Sequence, residues 1–69
     1  LPPQARWTVE EVYDRNRRVF DVKRNGRAVA YDLDDLDEAT RRVKKHRQFD
    51  EGDTVTLVDQ DGHRHRLKV

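Results

Sequence analysis

The dipeptide Asn25-Gly26 stands between two runs of alternating apolar and polar residues, one from Val19 to Arg24 and one from Arg27 to Leu33. Few short sequences constrain a chain more. A two-residue hairpin loop of type I′ needs φ > 0 at both central positions, and Asn-Gly meets that demand with least strain. Such a turn fixes a register in which Arg24 faces Arg27, Lys23 faces Ala28, Val22 faces Val29, Asp21 faces Ala30 and Phe20 faces Tyr31. Phe20, Val22, Val29 and Tyr31 then share one face, while Asp21 and Lys23 look the other way beside two alanines. A one-residue slip would invert every side chain, so this sorting supports the pairing.

An amphipathic helix is predicted directly after the hairpin, within DDLDEATRRVKKHR. Asp34 or Asp35 can serve as N-cap, and Asp37 and Glu38 fall near the positive end of the helix dipole. Leu36, Ala39 and Val43 recur at helical spacing as a narrow apolar stripe. Asp37–Arg41 and Glu38–Arg42 are acid-before-base pairs at i,i+4, worth about 0.2–0.5 kcal/mol each.

The segment from Arg6 to Asp14 has two readings. As a helix, Thr8 caps, Glu11 completes a capping box and Trp7 staples onto Val12. As a strand, Trp7, Val9 and Tyr13 alternate, and a turn at Arg15-Asn16 pairs Val9 with Val22, Val12 with Val19 and Asp14 with Arg17. The strand is preferred because it agrees with the hairpin register, although it sets Glu11 opposite Phe20 on the core face. Near the C-terminus, a two-residue Asp61-Gly62 turn sorts the side chains badly. A three-residue loop, Gln60-Asp61-Gly62 with Gly62 in a left-handed bulge, places Val55 opposite Leu67 and Leu57 opposite His65. The expected fold is therefore α+β: an antiparallel sheet of about five strands in the order β-β-β-α-β-β, with one helix packed on one face. Residues 1–5 form an extended tail that ends where Trp7 docks, and residues 6–69 form one domain.

With 69 residues, 33% of them hydrophobic and 42% charged, burial has little margin over conformational entropy. There is no cysteine, which removes disulfides and thiolate metal sites and leaves self-association as one source of further stability. The net charge of +1 sets up no global field towards nucleic acid or membrane. Nothing resembles a signal peptide or a membrane span, so a cytoplasmic location is expected. The chain opens Leu-Pro-Pro rather than with methionine, which reads as a trimmed or partial product.

An enzyme is not expected. Serine and cysteine are both absent, which leaves four threonines as hydroxyl nucleophiles, and each of the three glycines is assigned to a turn rather than to a phosphate loop. His63 and His65 lie two apart on a strand, with Asp59 beside His63. Two imidazoles and a carboxylate can hold a divalent ion, but a cross-strand charge pair and a rim histidine over Leu57 explain them as well, so neither metal nor cofactor is expected.

Two binding surfaces remain. Val12, Val19 and Val58 share the outer face and give a modest apolar patch for a protein partner, or for a homodimer formed through an edge strand. Alternatively, Arg41, Arg42, Lys44, Lys45 and Arg47 at the helix end, with Arg64, Arg66 and Lys68 on the last strand, can contact the phosphates of nucleic acid. Trp7, Tyr13, Phe20 and Tyr31 are expected in the core, which leaves no stacking platform and favours the protein partner. The element order, the Val22-Lys23-x-x-Gly26 strand end, the Leu36-Asp37-Glu38-Ala39 helix start and the Asp61-Gly62 turn resemble small uncharacterised β-β-α-β-β proteins of bacteria and their phages. With the arginine and aspartate bias, the resemblance implies a high-GC actinobacterial or phage origin, and it supplies no catalytic or binding residue to carry over.

Overall fold

The computed structural model describes residues 4–69. Its elements are β1 (Arg6–Asp14), β2 (Arg17–Arg24), β3 (Arg27–Leu33), α1 (Leu36–Lys45), β4 (Thr54–Val58) and β5 (Arg64–Leu67). The ambiguous first segment is a strand. β1 and β2 pair antiparallel with Val9 opposite Val22, Val12 opposite Val19, Glu11 opposite Phe20 and Asp14 opposite Arg17. Arg15 and Asn16 at the turn take φ of 51° and 66°, and Asn25 and Gly26 at the next turn take 51° and 83°, as two-residue turns of type I′ require.

The sheet is mixed, which corrects the expectation of a wholly antiparallel one. Its order is β3-β2-β1-β4-β5, and β4 runs parallel to β1 with Trp7 beside Val55 and Val9 beside Leu57. The physical reason lies in the helix. α1 starts where β3 ends and carries the chain back to the end of the sheet where β1 begins, so a strand laid on the free side of β1 has to run the same way. Thr54 N–H donates to the Ala5 carbonyl at 3.2 Å and opens the parallel pairing. Ala5, at the end of the expected 1–5 tail, is 3% exposed and belongs to the core; residues 1–3 lie outside the described residues.

The β2–β3 register also differs. Arg24–Arg27 and Lys23–Ala28 pair as expected, but Val22 then pairs with Ala30, and Phe20 with Leu33. Two bulges on β3 account for this: Val29 and Ala30 together oppose Val22, and Tyr31 and Asp32 together oppose Asp21. Asp32 takes φ of 56°, a conformation that aspartate tolerates better than most residues, and its N–H donates to Asp21 Oδ1 at 3.1 Å. The outcome puts Leu33 into the core (5% exposed) and turns Tyr31 out (66% exposed). A leucine carries no hydroxyl that would need a buried partner, which favours this arrangement. Tyr13, also expected inside, is 53% exposed near the β1–β2 turn.

Asp35 caps α1, its carboxylate accepting the Glu38 N–H at 2.7 Å. Ala39 and Val43 are fully buried against the sheet, and Leu36 packs at their edge. The helix lies over β1, β2 and β3 and makes no comparable contact with β4 or β5. The core comprises Ala5, Trp7, Val9, Phe20, Val22, Leu33, Ala39, Val43 and Val55. Beyond the end of α1, the loop covers Trp7, with the His46 ring edge-on at 5.1 Å and Phe49 at 6.0 Å. The C-terminal hairpin has the expected three-residue loop: Val55 pairs with Leu67, Leu57 with His65, and Gly62 is left-handed at φ of 85°.

Candidate binding groove

The two basic groups that the sequence offers as one surface lie on opposite faces of the sheet. Arg64 and Arg66 pair with Val58 and Thr56, whose side chains point away from the helix, whereas Arg41, Arg42, Lys44, Lys45 and Arg47 stand on and just beyond α1. All of these, and Lys68, are exposed. Among the described residues no carboxylate lies within ion-pair distance of any of the five cations of the helix end, so the expected Asp37–Arg41 and Glu38–Arg42 pairs are not formed. The valine patch is smaller than expected. Val19 is 2% exposed, leaving Val12 at 36% and a half-buried Val58 as its accessible members. Beside Val58 stands Glu10, whose carboxylate pairs with the Lys23 ammonium at 2.8 Å and raises the lysine pKa through that hydrogen bond.

What the sequence does not disclose is a groove between α1 and β3. A cleft of about 180 Å³ in it has Val22, Val29 and Ala30 as its floor and Arg42, Lys45 and His46 as its wall. Val29 also borders a neighbouring depression formed by Arg24, Asn25, Arg27 and Gln48. The first bulge creates this floor by turning both Val29 and Ala30 towards the helix side, and the short Ala30 side chain leaves room above it. β3 is an outer strand of the sheet, so the groove runs along an open edge. Arg24 lies over the Trp7 ring with its guanidinium carbon 5.8 Å from the centroid, and its Nε is buried without a hydrogen-bond partner. His46 Nδ1 accepts the Gln48 N–H at 3.1 Å, which fixes the ring that closes the cleft.

Asp53 anchors the floor of this end of the molecule. Its Oδ2 accepts from Trp7 Nε1–H at 2.8 Å and from the Asp50 N–H at 3.1 Å, and its Oδ1 accepts from the Ala5 N–H at 2.9 Å. Burial acts to raise its pKa, but the donors from Trp7, Ala5 and Asp50, with the Arg24 charge, more than offset this and hold the carboxyl below its ordinary range.

A second cluster occupies the β4–β5 turn at the other end of the sheet. Asp59 Oδ1 accepts the N–H groups of Asp61 at 3.0 Å and His63 at 2.9 Å. Its Oδ2 faces His65 Nε2 at 3.0 Å and His63 Nδ1 at 3.8 Å. The His65 hydrogen bond is the main cause of an Asp59 pKa below the usual carboxylate value. His65 is thus drawn to Asp59, a role the sequence reading gave to His63 alone. No helix among the described residues is long and apolar enough to cross a membrane. Comparison with protein-family models, with curated proteins and with solved structures finds no match to this chain.

Proposed function

We propose that this chain is a non-enzymatic protein-binding module that holds an acidic, extended segment of a partner along the α1–β3 groove. The observation that carries the reading is the pairing of an aliphatic floor, Val22, Val29 and Ala30, with cations that have no ion-pair partner among the described residues, Arg24, Arg27, Arg42 and Lys45. An extended peptide can lie in the groove between α1 and β3 without adding a strand to the bulged β3 edge, place apolar side chains on the floor and offer carboxylates to the rim. Aliphatic side chains suit such a ligand better than they suit nucleobases, which need aromatic faces for stacking. Hydrogen bonds to charged groups are worth about 1.5–3 kcal/mol when they exclude water, enough for micromolar affinity from a few contacts.

The test is fluorescence anisotropy with labelled peptides of alternating glutamate and leucine, run in parallel with single- and double-stranded oligonucleotides at low and moderate salt. The proposal expects saturable peptide binding that weakens at least tenfold in a variant carrying Arg42→Glu and Lys45→Glu. Oligonucleotide binding with a steep salt slope and no peptide binding would replace it with phosphate recognition by the exposed helix-end cations.

A further inference from the structure

We infer that the β4–β5 hairpin is a divalent transition-metal site, with Asp59, Asp61, His63 and His65 as its donors. The spacing is i, i+2, i+4 and i+6, and the three-residue turn with its bulge at Gly62 folds these alternate positions towards one point. Asp59 is the organising ligand. Its Oδ1 is held by two backbone N–H groups, of Asp61 and His63, which fixes the carboxylate plane and leaves Oδ2 aimed at the two rings. A carboxylate positioned by outer hydrogen bonds is the arrangement metal ligands ordinarily require.

The distances fit. Zinc bonds imidazole nitrogen and carboxylate oxygen at about 2.0–2.2 Å, so two donors on one tetrahedral ion stand roughly 3.3–3.5 Å apart. Around Asp59 Oδ2 the nitrogens lie at 3.0 Å for His65 and 3.8 Å for His63, on either side of that separation. The donor atoms of Asp59, Asp61 and His63 also fall within 4.8 Å of one another. Asp59, Asp61 and His63 thus converge as they stand, and His65, held on the same Asp59 oxygen, joins them by swinging its ring about that contact. Two carboxylates balance the ionic charge, and the mixture of imidazole nitrogen with oxygen selects zinc, nickel, cobalt or copper over calcium and magnesium. Asp61, His63 and His65 are exposed, so the ion enters freely and water completes its coordination.

This site is independent of the α1–β3 groove. Its test uses the whole chain, freed of metal by chelator and dialysis, titrated with zinc chloride at pH 7.5 under calorimetry and imidazole ¹⁵N NMR. The expected result is saturable one-to-one binding that moves the ring nitrogens of His63 and His65 and leaves those of His46 in place. His63→Ala and His65→Ala should each weaken binding about tenfold or more. Asp59→Asn risks disturbing the turn, so Asp61→Asn serves as the carboxylate variant, with a several-fold loss expected. Absence of saturable binding, ring shifts centred on His46, or wild-type affinity in both histidine variants would overturn the inference.

Discussion

Replacing Asp53 by alanine should be among the most damaging polar substitutions in this chain. The carboxylate is the acceptor for three donors, two of which belong to buried residues: Trp7, 1% exposed, and Ala5, 3% exposed. A buried donor stripped of its partner costs about 1–3 kcal/mol, whereas the exposed Asp50 N–H can turn to water at little cost. Together the indole and the Ala5 amide therefore put the loss at about 2–6 kcal/mol. A domain of 69 residues has a total stability of about 3–10 kcal/mol, so the variant sits near the folding threshold. Urea unfolding followed by the emission of Trp7, the chain's single tryptophan, and by far-UV circular dichroism measures the loss directly. Trp7→Phe removes the indole N–H and keeps an aromatic ring. In the double variant the orphaned donor no longer exists, so the two losses should sum to at least 1 kcal/mol more than the double loss, by order of magnitude. An Asp53→Ala loss below about 0.5 kcal/mol, the range of ordinary surface changes, would refute the reasoning.

Further outcomes are expected from the same structure. Leu33→Ala should cost about 2–5 kcal/mol as a core truncation, and Tyr31→Ala under about 1 kcal/mol, an order that the unbulged hairpin register would reverse and that thermal melts would read. Arg15 and Asn16 hold positive φ, so Arg15→Asn with Asn16→Gly should raise the melting temperature by several degrees, about 0.5–1 kcal/mol. The Asp53 and Asp59 carboxyls titrate lower in the folded chain than when unfolded. Their contribution is therefore fully present above the unfolded value, near pH 4, and is lost as pH falls through the folded values. Urea midpoints should fall as pH drops below about 5, with a shallower fall in Asp53→Asn.

Much of the fold was legible because its signals are local. The Asn25-Gly26 turn, the Arg15-Asn16 turn and the three-residue loop at Gly62 each fix a register from a few neighbouring residues, and two of the three hairpin ladders have the pairing those turns dictate. The third ladder shows what face sorting cannot detect. A single bulge inverts the faces beyond it, but a second restores them, so Leu33 takes the place opposite Phe20 with the same parity as Tyr31. Side-chain alternation reads both registers as equally good. Only the core discriminates, by preferring a leucine to a tyrosine that would bring a hydroxyl inside. The groove was hidden for the same reason, because its floor depends on Val29 and Ala30 facing one way. The histidine cluster was legible, and Asp59 does pair with His63, but the closer contact of His65 to the same carboxylate was not foreseen.

The parallel strand is the least local feature, and it depends on a length. α1 has 10 residues and so spans about 15 Å. That covers about two thirds of the roughly 23 Å that the seven residues of β3 rise, and residues 46–53 carry the chain the rest of the way to the end where β1 begins. From there β4 can add beside β3 or beside β1. The β3 edge is interrupted by two bulges that break the even spacing of its free donors and acceptors, a common way of blunting an edge. β1 offers an unbroken run from Arg6 to Glu10, all of it used by β4. Asp53 then fastens the junction, since the residue just before β4 binds the Ala5 amide and the Trp7 indole at the start of β1. The same acid thus ties the core to the β1–β4 junction. On this argument Asp53→Ala should slow refolding as well as lower stability, because the long-range β1–β4 pairing loses the contact that closes its loop.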